Sequence, residues 1–283
     1  MPSQRLVVIN ADDFGFAPGV NRGIVEAHEA GTLSSASMMV NTPGFAAAAA
    51  LARERVPTLG VGLHFNLLVG RPLSAVPTLT NPHDGLFHSL ATLTRRALTG
   101  RLRASDVRHE CDAQLEVLAA EGVRITHLDS HRHTHALPGV LPAVLASARA
   151  AGVHIVRRPL DKPTLKDAVA SAKMLVLHAA WRSALLGVAA EDRTAATRAP
   201  RFRGIALQGV PDVERLLIHM LDHLQPGSTE IMMHPGYDDA VLASLDPYRS
   251  ERERELAALC SSAVRTRMAR GDIRLVRFDE LSS

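Results

Sequence analysis

Short apolar runs alternate with amphipathic stretches along almost the whole chain. Arg5–Asn10, Ser35–Val40, Leu59–His64, Arg124–His131, Val153–Arg157, Gly204–Leu207, Glu230–His234 and Ile273–Phe278 read as strands, each a brief apolar run bounded by polar or turn residues. Between them, helical spacing predicts elements near Val20–Ala30, Phe45–Arg55, Ser105–Ala120, Pro138–Ala151, Val213–Leu224 and Glu251–Arg270. Several of these stop at a glycine (Gly31, Gly122, Gly152). About eight strand–helix pairs in succession are the pattern of a parallel α/β sheet or barrel.

Residues 166–200 break the rhythm. Within them, Lys173 to Ala190 is mostly apolar but carries His178, Trp181, Arg182 and Ser183. It is too short and too polar for a membrane span. Two readings fit it: an ordinary core helix, or an amphipathic lid that covers a substrate or touches a lipid interface. The same apolar surface would also suit a homodimer contact.

Composition narrows the classes. The chain has 283 residues, 46% of them hydrophobic, enough for one large core. Net charge is +3, but there is no basic run and aromatics are only 4%, so stacking platforms for nucleic acid are lacking and no nucleic-acid partner is expected. The two cysteines, Cys111 and Cys260, sit in helical patterns outside any CxxC unit, which argues for buried thiols rather than a zinc–thiolate site. The N-terminus enters a strand directly, so a cytoplasmic location is expected, with peripheral membrane contact as the lid reading's corollary.

The chemistry concentrates at strand ends. Thr126–His135 holds four of the 14 histidines, His127, His131, His133 and His135, with Asp129 among them. On a strand, His127, Asp129 and His131 share one face, and His133 and His135 lie just beyond its end. Asn10-Ala11-Asp12-Asp13 ends the first strand, His64 the third, Arg157 and Arg158 the fifth, and His234-Pro235-Gly236 follows the seventh. All lie at carboxyl ends, where parallel α/β folds place active sites. Asp13, His64 and His131 make a one-carboxylate, two-imidazole set that suits a catalytic divalent ion, zinc or another such as magnesium. Of the adjacent Asp12 and Asp13, one suits a metal and the other a base, and His234 suits protonation of a leaving group. The i, i+4 pair His131 and His135 stays open as an alternative ligand pair if that stretch is helical.

Four motifs, Asn-Ala-Asp-Asp-Phe-Gly (10–15), Gly-Leu-His-Phe-Asn-Leu (62–67), His-Leu-Asp-Ser-His-Arg-His-Thr-His (127–135) and Met-His-Pro-Gly (233–236), resemble in order and spacing the YdjC-like carbohydrate deacetylases. That family includes chitooligosaccharide deacetylase and the hopanoid-biosynthesis-associated HpnK proteins. The resemblance implies a single distorted, TIM-like (β/α) barrel over residues 1–283. It also implies hydrolysis of an N-acetyl group from an amino sugar, with one divalent ion held by Asp13, His64 and His131. Asp12 is then the general base and His234 the general acid. Asp129, His133, His135, Asn66, Arg157 and Arg158 are expected to bind substrate or support these groups. The 160–203 insertion is more like the hopanoid-associated branch, whose sugar rides on a polycyclic lipid. Two rivals remain: a metal-dependent phosphoesterase or amidohydrolase on the same barrel, and a non-catalytic sugar- or lipid-binding member.

Overall fold

The computed structural model describes residues 4–161, 168–193 and 198–281. Its centre is β1 (Arg5–Phe14), whose first residues, Leu6-Val7-Val8-Ile9, form the continuous apolar run of a parallel strand covered on both faces. It is followed by α1 (Pro18–Glu29), β2 (Ser35–Met38), α2 (Phe45–Glu54), β3 (Gly60–Phe65), α3 (Leu90–Leu98), α4 (Ala104–Ala120), β4 (Ile125–Ser130) and α5 (Leu141–Ala150). The second half contributes α6 (Ala168–Leu185), β5 (Arg201–Arg203), α7 (Val213–Asp222), β6 (Gly227–Met233), α8 (Ala240–Leu245), α9 (Ser250–Cys260), α10 (Ser262–Met268) and β7 (Ile273–Leu275). All strand pairs are parallel, in the order β4-β3-β2-β1-β6-β5, with β7 joined to the first three residues of β1.

The sheet curls into a half-barrel: the parallel α/β architecture of the expected distorted, TIM-like barrel is present, without closure among the described residues. Val153–Arg157 adds only one bridge, Val156 beside Leu128, and no pairing joins it to β5 among the described residues. Side chains fill that seam instead. Arg157 reaches across to Glu230 on β6, with its Nε 2.7 Å from Glu230 Oε1, and its guanidinium lies 5.4 Å from the Phe202 ring on β5. A closed barrel fills its interior with stacked aliphatic layers. This concave face instead buries Asn10, Asp12, Ser37, His64, His127, Asp129, Arg157 and Glu230.

Three smaller expectations also shift. The strand expected at Gly204–Leu207 lies at Arg201–Arg203, and Ile205–Leu207 is a 3-10 turn. Gly204 has φ +128 and sits against β6 so closely that a Cβ would fall 2.4 Å from the Met232 carbonyl oxygen, so the chain turns there. The helix expected at Glu251–Arg270 breaks at Ser261, whose hydroxyl accepts the Val264 amide and starts a new helix. In the insertion, α6 packs inward through Met174, Trp181 and Ala184, while Leu175, Val176 and Leu186 are 61%, 67% and 85% exposed. No helix among the described residues is long and apolar enough to cross a membrane. Both cysteines are free, Cys111 buried and Cys260 half-buried.

Candidate active site

Neighbouring residues of a strand point to opposite faces, yet Asp12 and Asp13 both line one cavity at the carboxyl end of the sheet. The reason is local. The β1–β2 register shifts between Ala11 and Phe14, and Asp13 has a left-handed φ of +70. That conformation is costly for a residue with a Cβ, about 1–3 kcal/mol, and Asp13 is held there by three partners. Its Oδ1 lies 3.1 Å from His64 Nε2 and 2.9 Å from His131 Nδ1, and its Oδ2 accepts Arg252 Nη2 at 2.7 Å. Arg252 was not singled out from the sequence.

Strand register supplies the next group. His64 on β3 pairs in register with Asp129 on β4, and the two meet through His64 Nδ1 and Asp129 Oδ1 at 2.7 Å. That fixes the ring so that Nε2 faces Asp13. His131 follows directly on β4, at the start of a 3-10 run, His131–Ala136. Arg132 and His133 carry φ of +53 and +57, which turns the chain sharply and leaves the His131 ring beside Asp13. The ligand atoms of Asp13, His64 and His131 lie within 4.8 Å of one another, and all three residues are buried. A buried oxygen and two ring nitrogens from three elements fit a divalent cation, and a carboxylate behind one imidazole is the usual support for such a ligand.

A second group with metal-ligating atoms, Asp12, His64 and Asp129, already holds a cation of its own. Arg157 grips Asp12 with two parallel bonds of 2.7 Å, touches Asp129 Oδ2 at 2.7 Å, and reaches Glu230. Asn10 Nδ2 donates to Asp12 Oδ1 at 2.9 Å. Ser37, one strand over, donates to Asp129 Oδ2 at 2.6 Å. Glu230 and Ser37 gave no sequence signal: Glu230 opens its predicted strand next to the polar Ser228 and Thr229, and Ser37 is a small polar residue within its run.

The electrostatics follow from this packing. Burial raises the Asp12 carboxyl above its ordinary value, with Arg157 pulling the other way. At Asp13 burial pushes upward too, but Arg252 and His131 outweigh it and hold the group well below the usual carboxylate range. Burial opposes charging of His64, yet Asp129 and Asp12 raise it to about 10. His127 and His135 lie deeper, and burial lowers them to about 3 and about 4. Burial likewise keeps His133 and His234 well below 6.5.

These depressed histidines set a pH dependence of stability. In the unfolded chain they take protons near pH 6.5, whereas in the folded chain they do not until far lower. The unfolded state therefore binds more protons, and stability falls as pH drops from about 6.5 towards 4. Glu230 and Glu255, raised by burial to about 7, and Asp12, raised by burial as well, act in the opposite sense, but three carboxylates face four histidines. The urea midpoint is expected to be lower at pH 5 than at pH 7. A higher midpoint at pH 5 would contradict this balance.

The other residues expected at the site divide. His133 and His234 line the cavity with Asp12, Asp13, His64, His131 and Arg252, around a volume of about 440 Å³, and Lys173, not expected there from the sequence, joins them. His234 Nδ1 is buried without a hydrogen-bond partner, 3.9 Å from Glu255 Oε2. His135 does not line the cavity. Its Nδ1 meets Ser130 Oγ at 2.6 Å and its Nε2 the Arg157 carbonyl at 2.9 Å, so it braces the loop. This separates it from His131 and removes the i, i+4 ligand pair. Asn66 shapes the turn after β3, with its Oδ1 accepting the Leu68 and Val69 amides at 3.0 Å each. Arg157 is consumed by carboxylates, and Arg158 lies outside the cavity lining.

A parallel half-barrel with these groups at its carboxyl edge defines an α/β protein with a buried carboxylate–histidine centre. A family model, YdjC-like protein, matches residues 6–270, and the chain belongs to that family. A carbohydrate deacetylase of Geobacillus stearothermophilus is 35% identical over 281 residues, covering 98% of each chain. A chitooligosaccharide deacetylase of Salmonella schwarzengrund is 30% identical over 270 residues, covering 94% of this chain and 95% of its own. Among solved structures, a protein of Enterococcus faecalis provisionally assigned to cellobiose-phosphate cleavage superposes with a TM-score of 0.77 at 25% identity, covering 99% of both chains.

Proposed function

We propose that this protein is a metal-dependent N-deacetylase that hydrolyses the acetamide of an N-acetylglucosamine-containing substrate. The observation that carries this reading is the meeting of Asp13, His64 and His131 in a buried cavity that also holds Asp12. Family membership and the relatives' deacetylase names support it. Those three residues would hold a divalent ion, zinc or magnesium, which would supply Lewis acidity toward the acetyl carbonyl and the attacking water.

Asp12 takes a proton from that water. Its Oδ2 receives one N–H from Arg157, which leaves a lone pair for the task, and its raised proton affinity suits a base. As the C–N bond breaks, the amine nitrogen needs a proton; His234, a neutral ring lining the same cavity, would take up the proton that Asp12 removed from water and pass it to the departing amine. Asp129 steers His64, and His133 lies where substrate would touch it. The two-metal phosphoesterase reading is disfavoured, because Arg157 already neutralises the second acidic group.

The acceptor is proposed at two levels. Names of the relatives favour a soluble chitooligosaccharide. The exposed Leu175, Val176 and Leu186 on or just after α6, whose Lys173 lines the cavity, favour a sugar carried on an apolar group such as a hopanoid. Acetate release from diacetylchitobiose and from an N-acetylglucosaminyl hopanoid separates them. Release from the lipid-linked sugar alone supports the apolar acceptor, and release from the disaccharide alone discards it. Release from neither, with an ion bound, would overturn the deacetylase reading.

A further inference from the structure

In sequence, α9 reads as a solvated, charge-alternating helix, yet it buries Arg252 and Glu255, three residues apart and so on one face. Glu255 holds one side of the cavity. Its Oε2 accepts the His234 amide at 2.6 Å, and its Oε1 accepts the Tyr248 hydroxyl. Arg252 holds the other side. Its Nη2 donates to Asp13 Oδ2 at 2.7 Å and to Asp246 Oδ2 at 3.1 Å, and its Nε donates to the Tyr248 carbonyl at 2.9 Å. Asp246 Oδ1 in turn accepts Arg132 Nη2 at 3.2 Å. Arg132 directly follows His131, whose Nδ1 lies 2.9 Å from Asp13 Oδ1. The contacts close a ring: Asp13, Arg252, Asp246, Arg132, His131.

We propose that Arg252 is a positioning residue for the divalent-ion site. It occupies Oδ2 of Asp13, so that Oδ1 alone faces the two imidazoles, and through Asp246 and Arg132 it fixes the loop that carries His131. This inference rests on the reading of Asp13, His64 and His131 as ion ligands. Two observations support it. Asp13, Arg132 and His133 are the non-glycine residues with positive φ among the described residues, and the first two belong to the ring. Such conformations persist only where the surroundings hold them. A guanidinium beside an ion site would by charge alone repel the ion, but Asp246 shares this one and Glu255 lies near it, which offsets the repulsion. Orientation is then the net contribution.

The test is ion affinity of the full chain, measured with zinc and with magnesium by competition against a chelator. It is paired with melting temperatures of the ion-free and ion-loaded forms. Arg252→Gln is expected to weaken binding about 10–100-fold, as loss of a ligand's supporting partner does. Asp246→Asn should weaken it less, in the same direction. Arg252→Lys should fall between wild type and Arg252→Gln, because it keeps the charge but a compact ammonium cannot span both carboxylates. The ion-induced rise in melting temperature should shrink in the same order. Unchanged affinity with a lowered ion-free melting temperature would mean a merely structural role and overturn the proposal. Tighter binding would also overturn it, making Arg252 a stand-in for the ion. If Arg252→Gln does not fold, Arg252→Lys and Asp246→Asn decide. Absence of ion binding by the wild-type chain would refute the metal-site reading itself, a different result from equal binding by wild type and variants.

Discussion

Asp12→Asn is expected to lower kcat/KM for acetate release by about 10²–10⁴-fold, the usual contribution of a positioned base, while leaving ion binding intact. Asparagine keeps the shape and one acceptor for Arg157 but cannot take a proton from water. Asp129 and Glu230 still compensate the Arg157 charge, so the fold should tolerate the change. Kinetics and metal content of the same preparation check it. Loss of the ion together with activity would mean that Asp12 belongs to the ion site, and near-normal activity would remove it from the chemistry.

Loss of a ligand should be more severe. His64→Gln removes a ring nitrogen from the Asp13–His131 pair and leaves Asp129 without its imidazole partner. The variant is expected to purify without stoichiometric ion and to show no acetate release above background. Its ion-free stability should also drop, most fully below about pH 6.5 and nearly as much at neutral pH. The His64 group is raised to about 10 in the folded chain, so its contribution is complete below about pH 6.5 and fades only as pH rises through about 10. Equilibrium dialysis and denaturation at pH 7 read both effects. Full ion occupancy in His64→Gln would exclude His64 from the ligand set.

Much of this site was legible in the residues. Parallel strands buried on both faces write themselves as unbroken apolar runs, so the polar residues that end them, Asp12 and Asp13, His64, His131 and His234, stand out. Which of two adjacent aspartates faces which partner was not legible, because it depends on the left-handed turn at Asp13. The histidine cluster was visible as a cluster, but the consecutive left-handed residues Arg132 and His133 sort it: His131 and His133 to the cavity, His135 to the loop's interior. Arg252 and Glu255 were invisible for a different reason. In a helix written Ser-Glu-Arg-Glu-Arg-Glu, inward and outward charges look alike until a tertiary partner distinguishes them. How far the sheet closes was not legible, because a strand's ability to pair is not written in its own residues. Val153–Arg157 is apolar enough for a full strand, but Arg157 spends its side chain bridging the seam to β6.

The most direct test of the central claim is acetate release from an N-acetylglucosamine substrate by purified enzyme, before chelation, after chelation, and after stepwise return of one divalent ion. Activity should vanish on chelation and return in proportion to ion bound, saturating at one per chain. Undiminished release from the ion-free protein would contradict the account.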